Sequence, residues 1–197
     1  MPSASRLRLA GGTLVLVTLA LAACEAGGGS GQPAAMEGVV QSAANQSGEL
    51  TLSSPDFGEG QPIPRRFACD GDDASPTLSW SGAPSDTAAM ALVMDDPDAG
   101  GFVHWVVFDM TASASGSLPA GWSKSADASP QGTNSFGRVG YGGPCPPSGS
   151  HRYNFRLLAL GQELALSGAP KAQEVLDAAA GHILAEATLT GTYRRGG

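Results

Sequence analysis

AMALVMDDPDAGGFVHWVVF, residues 89–108, decides how the rest of the chain reads. Ala89 to Met94 is a continuous apolar run of strand length, as expected of a strand buried on both faces. Asp95 to Gly101 cannot continue it. Pro97 fixes its own φ and pushes Asp96 towards extended geometry. Gly100 and Gly101 permit left-handed backbone, so the chain turns here. Phe102 to Phe108 is then a second buried strand. Asp96, Asp98 and His104 fall at adjoining strand ends, where loops carry chemistry on a rigid frame. Each has an ordinary explanation too. Aspartate beside proline is common turn chemistry, and a histidine before a tryptophan in a strand is often core packing.

A second polar cluster, Tyr141 to Tyr153, reads YGGPCPPSGSHRY. Its prolines make a stiff wall and its glycines leave backbone N–H groups accessible. Tyr141, His151 and Tyr153 add donors. The two clusters together suggest one small pocket for an anionic or zwitterionic head group. Imidazole and phenol donate to phosphoryl oxygens, and a neighbouring carboxylate orients an imidazole or accepts an ammonium.

The start of the chain is different in kind. Arg6 and Arg8 precede an apolar segment, Leu14 to Leu21, which is short for a membrane span. Leu21, Ala22 and Ala23 then lead into Cys24, the arrangement of a bacterial lipobox. Residues 1–23 are expected to be a lipoprotein signal peptide, with Cys24 becoming the lipidated first residue. The alternatives are an uncleaved anchor or a plain signal peptide. Residues 24–48 read as a flexible tether rich in Gly, Ala, Ser and Gln. A chain of that length has a root-mean-square reach of about 25–30 Å. Residues 49–197 are left for one globular domain. The expected location is therefore the periplasmic or cell-surface side of a membrane.

The chain carries 18 acidic against 11 basic residues, for a formal charge of −7. Losing Arg6 and Arg8 with the leader makes the remainder more acidic still. Such a domain is a poor partner for nucleic acid. After Cys24 only Cys69 and Cys145 remain. In an oxidising compartment an even pair points to a Cys69–Cys145 disulfide, and two separate buried thiols are the alternative.

Further strands are expected at Leu50 to Ser53, Leu78 to Trp80, His151 to Leu160 and Thr188 to Tyr193. In the His151 strand Tyr153, Phe155 and Leu157 alternate with Arg152, Asn154 and Arg156. Residues 111–149 read as long and irregular. A helix is expected over Lys171 to Ala180, between Pro170 and Gly181, with a second helical turn from His182 to Glu186. Many strands and few helices make this a mainly β protein, a two-sheet β-sandwich with one or two short C-terminal helices.

These motifs together resemble the phosphatidylethanolamine-binding proteins, in their bacterial Raf-kinase-inhibitor-like branch. The carrying residues are Asp96-Pro97-Asp98, His104-Trp105, Pro146-Pro147 and His151-Arg152-Tyr153. Ile63-Pro64, Cys69-Asp70-Gly71 and Gly181 to Ala185 add to them. The resemblance covers about residues 50–195. It implies a two-sheet fold with a small anion pocket. One wall would be Asp96, Pro97, Asp98 and His104. The other would be Pro146, Pro147, His151 and Tyr153, with Tyr141 nearby. Eukaryotic members have a longer gap between the proline pair and the histidine and a different C-terminal helix, so kinase inhibition is not implied here.

The expected function is a binding protein for small phosphorylated or zwitterionic ligands, neither an enzyme nor dependent on a cofactor. One alternative is an interaction module inhibiting an extracytoplasmic kinase or protease. The other is a metal-dependent hydrolase using the two histidines and two aspartates. The usual hydrolase signatures, His-Glu-x-x-His and Gly-x-Ser-x-Gly, do not occur. His182 is compatible with the pocket or with packing elsewhere.

Overall fold

The computed structural model describes residues 49–126, 128 and 130–196; the expected leader and the whole of the tether, Cys24 included, lie outside them. In chain order the elements are β1 (Thr51–Ser53), β2 (Leu78–Ser81), β3 (Ala89–Asp96), β4 (Phe102–Thr111), β5 (Ser115–Leu118), β6 (Ser150–Leu160), α1 (Ala172–Ala179) and β7 (Ile183–Arg194). They form two antiparallel sheets. The larger is ordered β4-β3-β6-β7 and the smaller β1-β2-β5.

The apolar run of residues 89–94 becomes the inner strand β3, between β4 and β6. Met90, Leu92 and Met94 pack on one face, in a core shared with Trp80, Trp105, Phe155 and Leu157. Ala91 and Val93 pack on the other, with Val106, Leu158 and the α1 residues Ala172, Val175 and Ala179. With both faces covered, the sequence shows no polar alternation there.

Because β3 runs antiparallel to both neighbours, its C-terminal end meets the beginnings of β4 and β6. Asp95 pairs with Val103 on one side and Asn154 on the other. The turn from β3 to β4 is the one expected. Pro97–Ala99 form a single 3₁₀ turn, and Gly100 and Gly101 follow at φ 67° and 78°. A β-bulge interrupts the pairing between Met94–Trp105 and Asp95–Val103, leaving His104 as the extra residue. The bulge changes the phase of β4. Val103 packs towards the α1 side and Trp105 towards the inter-sheet core.

Cys69 and Cys145 form a disulfide with a Cα–Cα distance of 5.4 Å. It ties the segment after Phe67 to the proline loop before β6. The backbone bond from Cys69 N–H to the Pro144 carbonyl, 3.1 Å, reinforces the tie.

Two expectations need correction. His182 to Glu186 is not a helical turn. Ile183 already begins β7, and Glu186 pairs with Leu158. Strand pairing along β6 overrides a local preference for helix. Residues 111–149 are also not wholly irregular: Ser115–Leu118 pair with β2, and Gly116 lies opposite Trp80. A Ser/Gly strand has no hydrophobic alternation to reveal it.

Replacing both Cys69 and Cys145 by alanine is expected to lower unfolding free energy by about 2–4 kcal/mol. Denaturant titration with and without reductant measures this. An unchanged midpoint would mean that the crosslink contributes no stability.

Candidate functional site

Asp96 closes β3 and is only 2% exposed. Its Oδ1 accepts from the Asp98 and Ala99 backbone N–H groups at 2.9 and 3.0 Å. That is the local bond by which aspartate makes a turn. Its Oδ2 accepts from Nδ1 of His151 at 2.7 Å. The same carboxylate therefore shapes the turn and fixes an imidazole 55 residues away. With Nδ1 held inward, the free nitrogen of His151 is Nε2. The His151 side chain is 15% exposed, which makes it the surface-facing member of the group.

His104 is oriented in the same manner by a different partner. Its Nδ1 donates to the Gly142 carbonyl at 2.7 Å, and the Gly142 N–H returns a bond to the His104 carbonyl at 2.9 Å. A carbonyl only accepts, so Nδ1 carries the proton and Nε2 is the free atom. Burial holds the His104 pKa below the usual imidazole value, against the pull of the Gly142 carbonyl and the Asp96 charge. The rings of Phe102, Phe136 and Tyr153 surround it with centroids 5.1–5.3 Å away.

Tyr153 follows His151 by two residues on β6 and faces the inter-sheet core. Its hydroxyl is buried and, among the described residues, has no hydrogen-bond partner. The Asp96 carboxylate and the Cys145 backbone lie near it without making a bond. Burial, then the Asp96 charge, pushes its pKa well up, so the phenol keeps its proton.

Asp98 is more exposed and differently occupied. It accepts from the Arg152 backbone N–H at 2.8 Å and from the guanidinium at 3.0 and 2.7 Å. The bidentate pair holds its pKa far below the ordinary carboxylate range. An exposed pair of this kind adds little stability, but it fastens the β3–β4 turn to the start of β6.

Asp96, His104, His151 and Tyr153 thus meet at one end of the larger sheet, with Pro97 and Asp98 in the adjoining turn. Pro146 is buried and Pro147 exposed in the loop before β6. Gly143 in that loop touches the Phe67 carbonyl so closely that a Cβ would lie 2.3 Å from it. Tyr141 is placed otherwise. Its hydroxyl donates to the Phe67 carbonyl at 2.8 Å in the core, so it offers the group no donor. His182 lies at the far end of β6, where Leu160 pairs with Ile183, and is not part of the group. Gly142, Phe102 and Phe136 are site neighbours that the sequence reading does not single out, and Arg152 enters it only as part of the His151-Arg152-Tyr153 motif. Phe136, an aromatic in a polar loop, was the one visible signal.

Protonating His104 works against the fold, since its folded pKa is depressed. Its neutral form fits both states above the free-imidazole value near 6.5. Below that value the unfolded chain gains the proton first, and stability falls. The melting temperature should therefore drop between pH 7.5 and 5.5, and drop less in His104→Gln. Equal pH slopes in the two proteins would contradict the assignment.

The family model described as "Phosphatidylethanolamine-binding protein" matches residues 53–194. A "UPF0098 protein" of Methanothermobacter thermautotrophicus is 46% identical over 153 residues, 75% of this chain and 100% of its own. The "Putative lipoprotein LppC" of Mycobacterium tuberculosis is 40% identical over 202 residues, 95% of this chain and 96% of its own. Among solved structures, a phosphatidylethanolamine-binding protein homologue from Chlamydia trachomatis superposes with a TM-score of 0.69 at 35% identity. It covers 75% of this chain and 98% of that one. Escherichia coli YbcL, described as a member of the mammalian family, gives 0.68 at 29% identity and covers 75% and 99%.

Proposed function

The chain belongs to the phosphatidylethanolamine-binding protein family, and from that premise we propose that it is an exported, lipid-anchored binding protein for small phosphorylated or zwitterionic head groups. The observation that carries the reading is the orphaned Tyr153 hydroxyl. A buried donor without a partner costs about 1–3 kcal/mol, and a fold that keeps one has a use for it. A phosphoryl oxygen would accept from that hydroxyl and relieve the cost.

The surrounding groups suit the same ligand. His151 and His104 each have Nδ1 tied back to the protein, which leaves Nε2 for the ligand. His151 is the more exposed of the two, and its contact with Asp96 through Nδ1 aims Nε2 away from that carboxylate. His104 is buried and neutral; a phosphoryl monoanion would donate its own proton to His104 Nε2, or a more anionic form would bring a proton with it. Either route makes binding stronger at mildly acidic pH. The charges of Asp96 and Asp98 disfavour a bare polyanion and favour a ligand that carries its own ammonium, through their field and not through a free oxygen.

Anchoring rests on Cys24 and on the relative named a lipoprotein, whose match extends through nearly the whole chain. Among the described residues no helix is long and apolar enough to cross a membrane. Replacement of Cys24 by alanine should move the protein from the membrane fraction to the soluble fraction. Continued membrane association would refute lipid attachment at that residue.

For the pocket, calorimetry with phosphoethanolamine and inorganic phosphate should show binding to the mature chain. His151→Ala and Tyr153→Phe should each weaken it at least tenfold. Tyr153→Phe removes only the unpartnered hydroxyl, so the unliganded protein should become more stable by about 1 kcal/mol. No binding by the parent protein, or undiminished binding by both variants, would remove the proposal.

A further inference from the structure

The opposite face of the larger sheet holds a separate cavity of about 600 Å³. Its lining combines Val93, Val103 and Leu176 with Asp95, Arg156 and Lys171, closed by α1 and by Thr133, Ser135 and Gly137 of the facing loop. Strand pairing places the sheet residues. Val93 lies opposite Arg156, and Asp95 lies between Val103 and Asn154. Asp95 neighbours Asp96 in sequence but faces the other way, so this cavity is not an extension of the histidine site.

Among the described residues, two charges on its wall form no ion pair. The buried Asp96 and the partly buried Asp56, Asp73 and Asp109 each accept a backbone N–H, at 2.6–3.0 Å. Asp95, also half-buried, accepts none among the described residues; the Asn154 side chain lies beside it, and Arg156 acts on it through charge without an ion-pair contact. The nearest guanidinium, Arg156, is turned to Glu186 at 2.9 Å. Burial pushes the Asp95 carboxyl pKa up in spite of Arg156, as expected of a charge that is incompletely compensated. Lys171, at the start of α1, forms no ion pair among the described residues. Its backbone N–H is capped by the Glu174 carboxylate at 2.8 Å, while its ammonium is free.

An unpaired carboxylate and an unpaired ammonium thus flank one cavity with an apolar floor. We propose that this cavity is a second binding site, for a small zwitterion with apolar side chains, of amino-acid to dipeptide size. The ligand ammonium pairs with Asp95 and its carboxylate with Lys171. Val93, Val103 and Leu176 take the side chain, and Thr133, Ser135 and Gln173 supply polar contacts at the rim. The volume lies within the range of small-molecule sites, about 300–1,000 Å³. The site is independent of the head-group pocket and shares no residue with it.

The test uses L-leucyl-L-leucine as probe on the ¹⁵N-labelled mature chain. Shifts in the amide resonances of Val93, Val103 and Leu176 are expected, without shifts at His104 or His151. Acetylating the probe's amine, or Asp95→Asn in the protein, should weaken binding at least tenfold. Lys171→Met, on an exposed position where folding is not at issue, should do the same, and amidating the probe's carboxylate should match it. No shifts at millimolar probe would overturn the proposal. So would shifts centred on the histidines, or affinity that survives both Lys171→Met and probe acetylation.

Discussion

The Asp96 carboxylate is the point on which the site's construction depends. It is buried at the end of the central strand, and both its oxygens are occupied. Oδ1 closes the Pro97–Ala99 turn, and Oδ2 holds His151. A buried carboxylate is tolerated only when such partners replace water. The requirement works in both directions. The turn must keep its two N–H groups aimed at Asp96, and β6 must begin in the register that brings His151 to it. Asp98 and Arg152 repeat the link at the surface, so the turn is fastened to β6 at two depths. Local turn chemistry and long-range assembly of the site are one set of bonds here.

That coupling explains what was legible in the sequence. The two apolar runs flanking Asp95–Gly101 identified a central hairpin, because burial on both faces leaves a continuous hydrophobic record. The same stretch offers two competing explanations, an ordinary Asp-Pro-Asp turn or a functional carboxylate. Asp96 is both, through different oxygens. The Cys69–Cys145 pairing followed from compartment and count and is present in the fold. Less legible were features that depend on a partner chosen in three dimensions. The bulge at His104 leaves no mark in composition. The Gly142 carbonyl orients His104 as a main-chain atom, and any residue has one. Tyr141 and Tyr153 are both plausible donors from sequence; only packing decides that one hydroxyl reaches the Phe67 carbonyl and the other reaches nothing. The extra helical turn expected after His182 failed for the same reason, since β6 supplied strand partners that local preference could not anticipate.

Asp95 and Asp96 meet opposite fates at the end of β3. They are adjacent, chemically identical, and borne on the same strand, yet the pleat turns them to opposite faces. On the inner face a tight turn and a histidine arrive to satisfy the charge. On the outer face α1 and the loop at residues 133–137 cover the strand only in part. The guanidinium within reach is directed to Glu186 instead. A sheet protein with helices on one side and a second sheet on the other has two chemically distinct environments at every strand end. Which of two neighbouring side chains becomes a structural fixture, and which stays available to a ligand, is decided by the layer it faces. On this sheet the fully bonded carboxylate organises a site without itself being free to bind, and the under-bonded one borders a cavity. Availability for binding follows from unmet hydrogen-bonding capacity, and the same measure distinguishes Tyr153 from Tyr141.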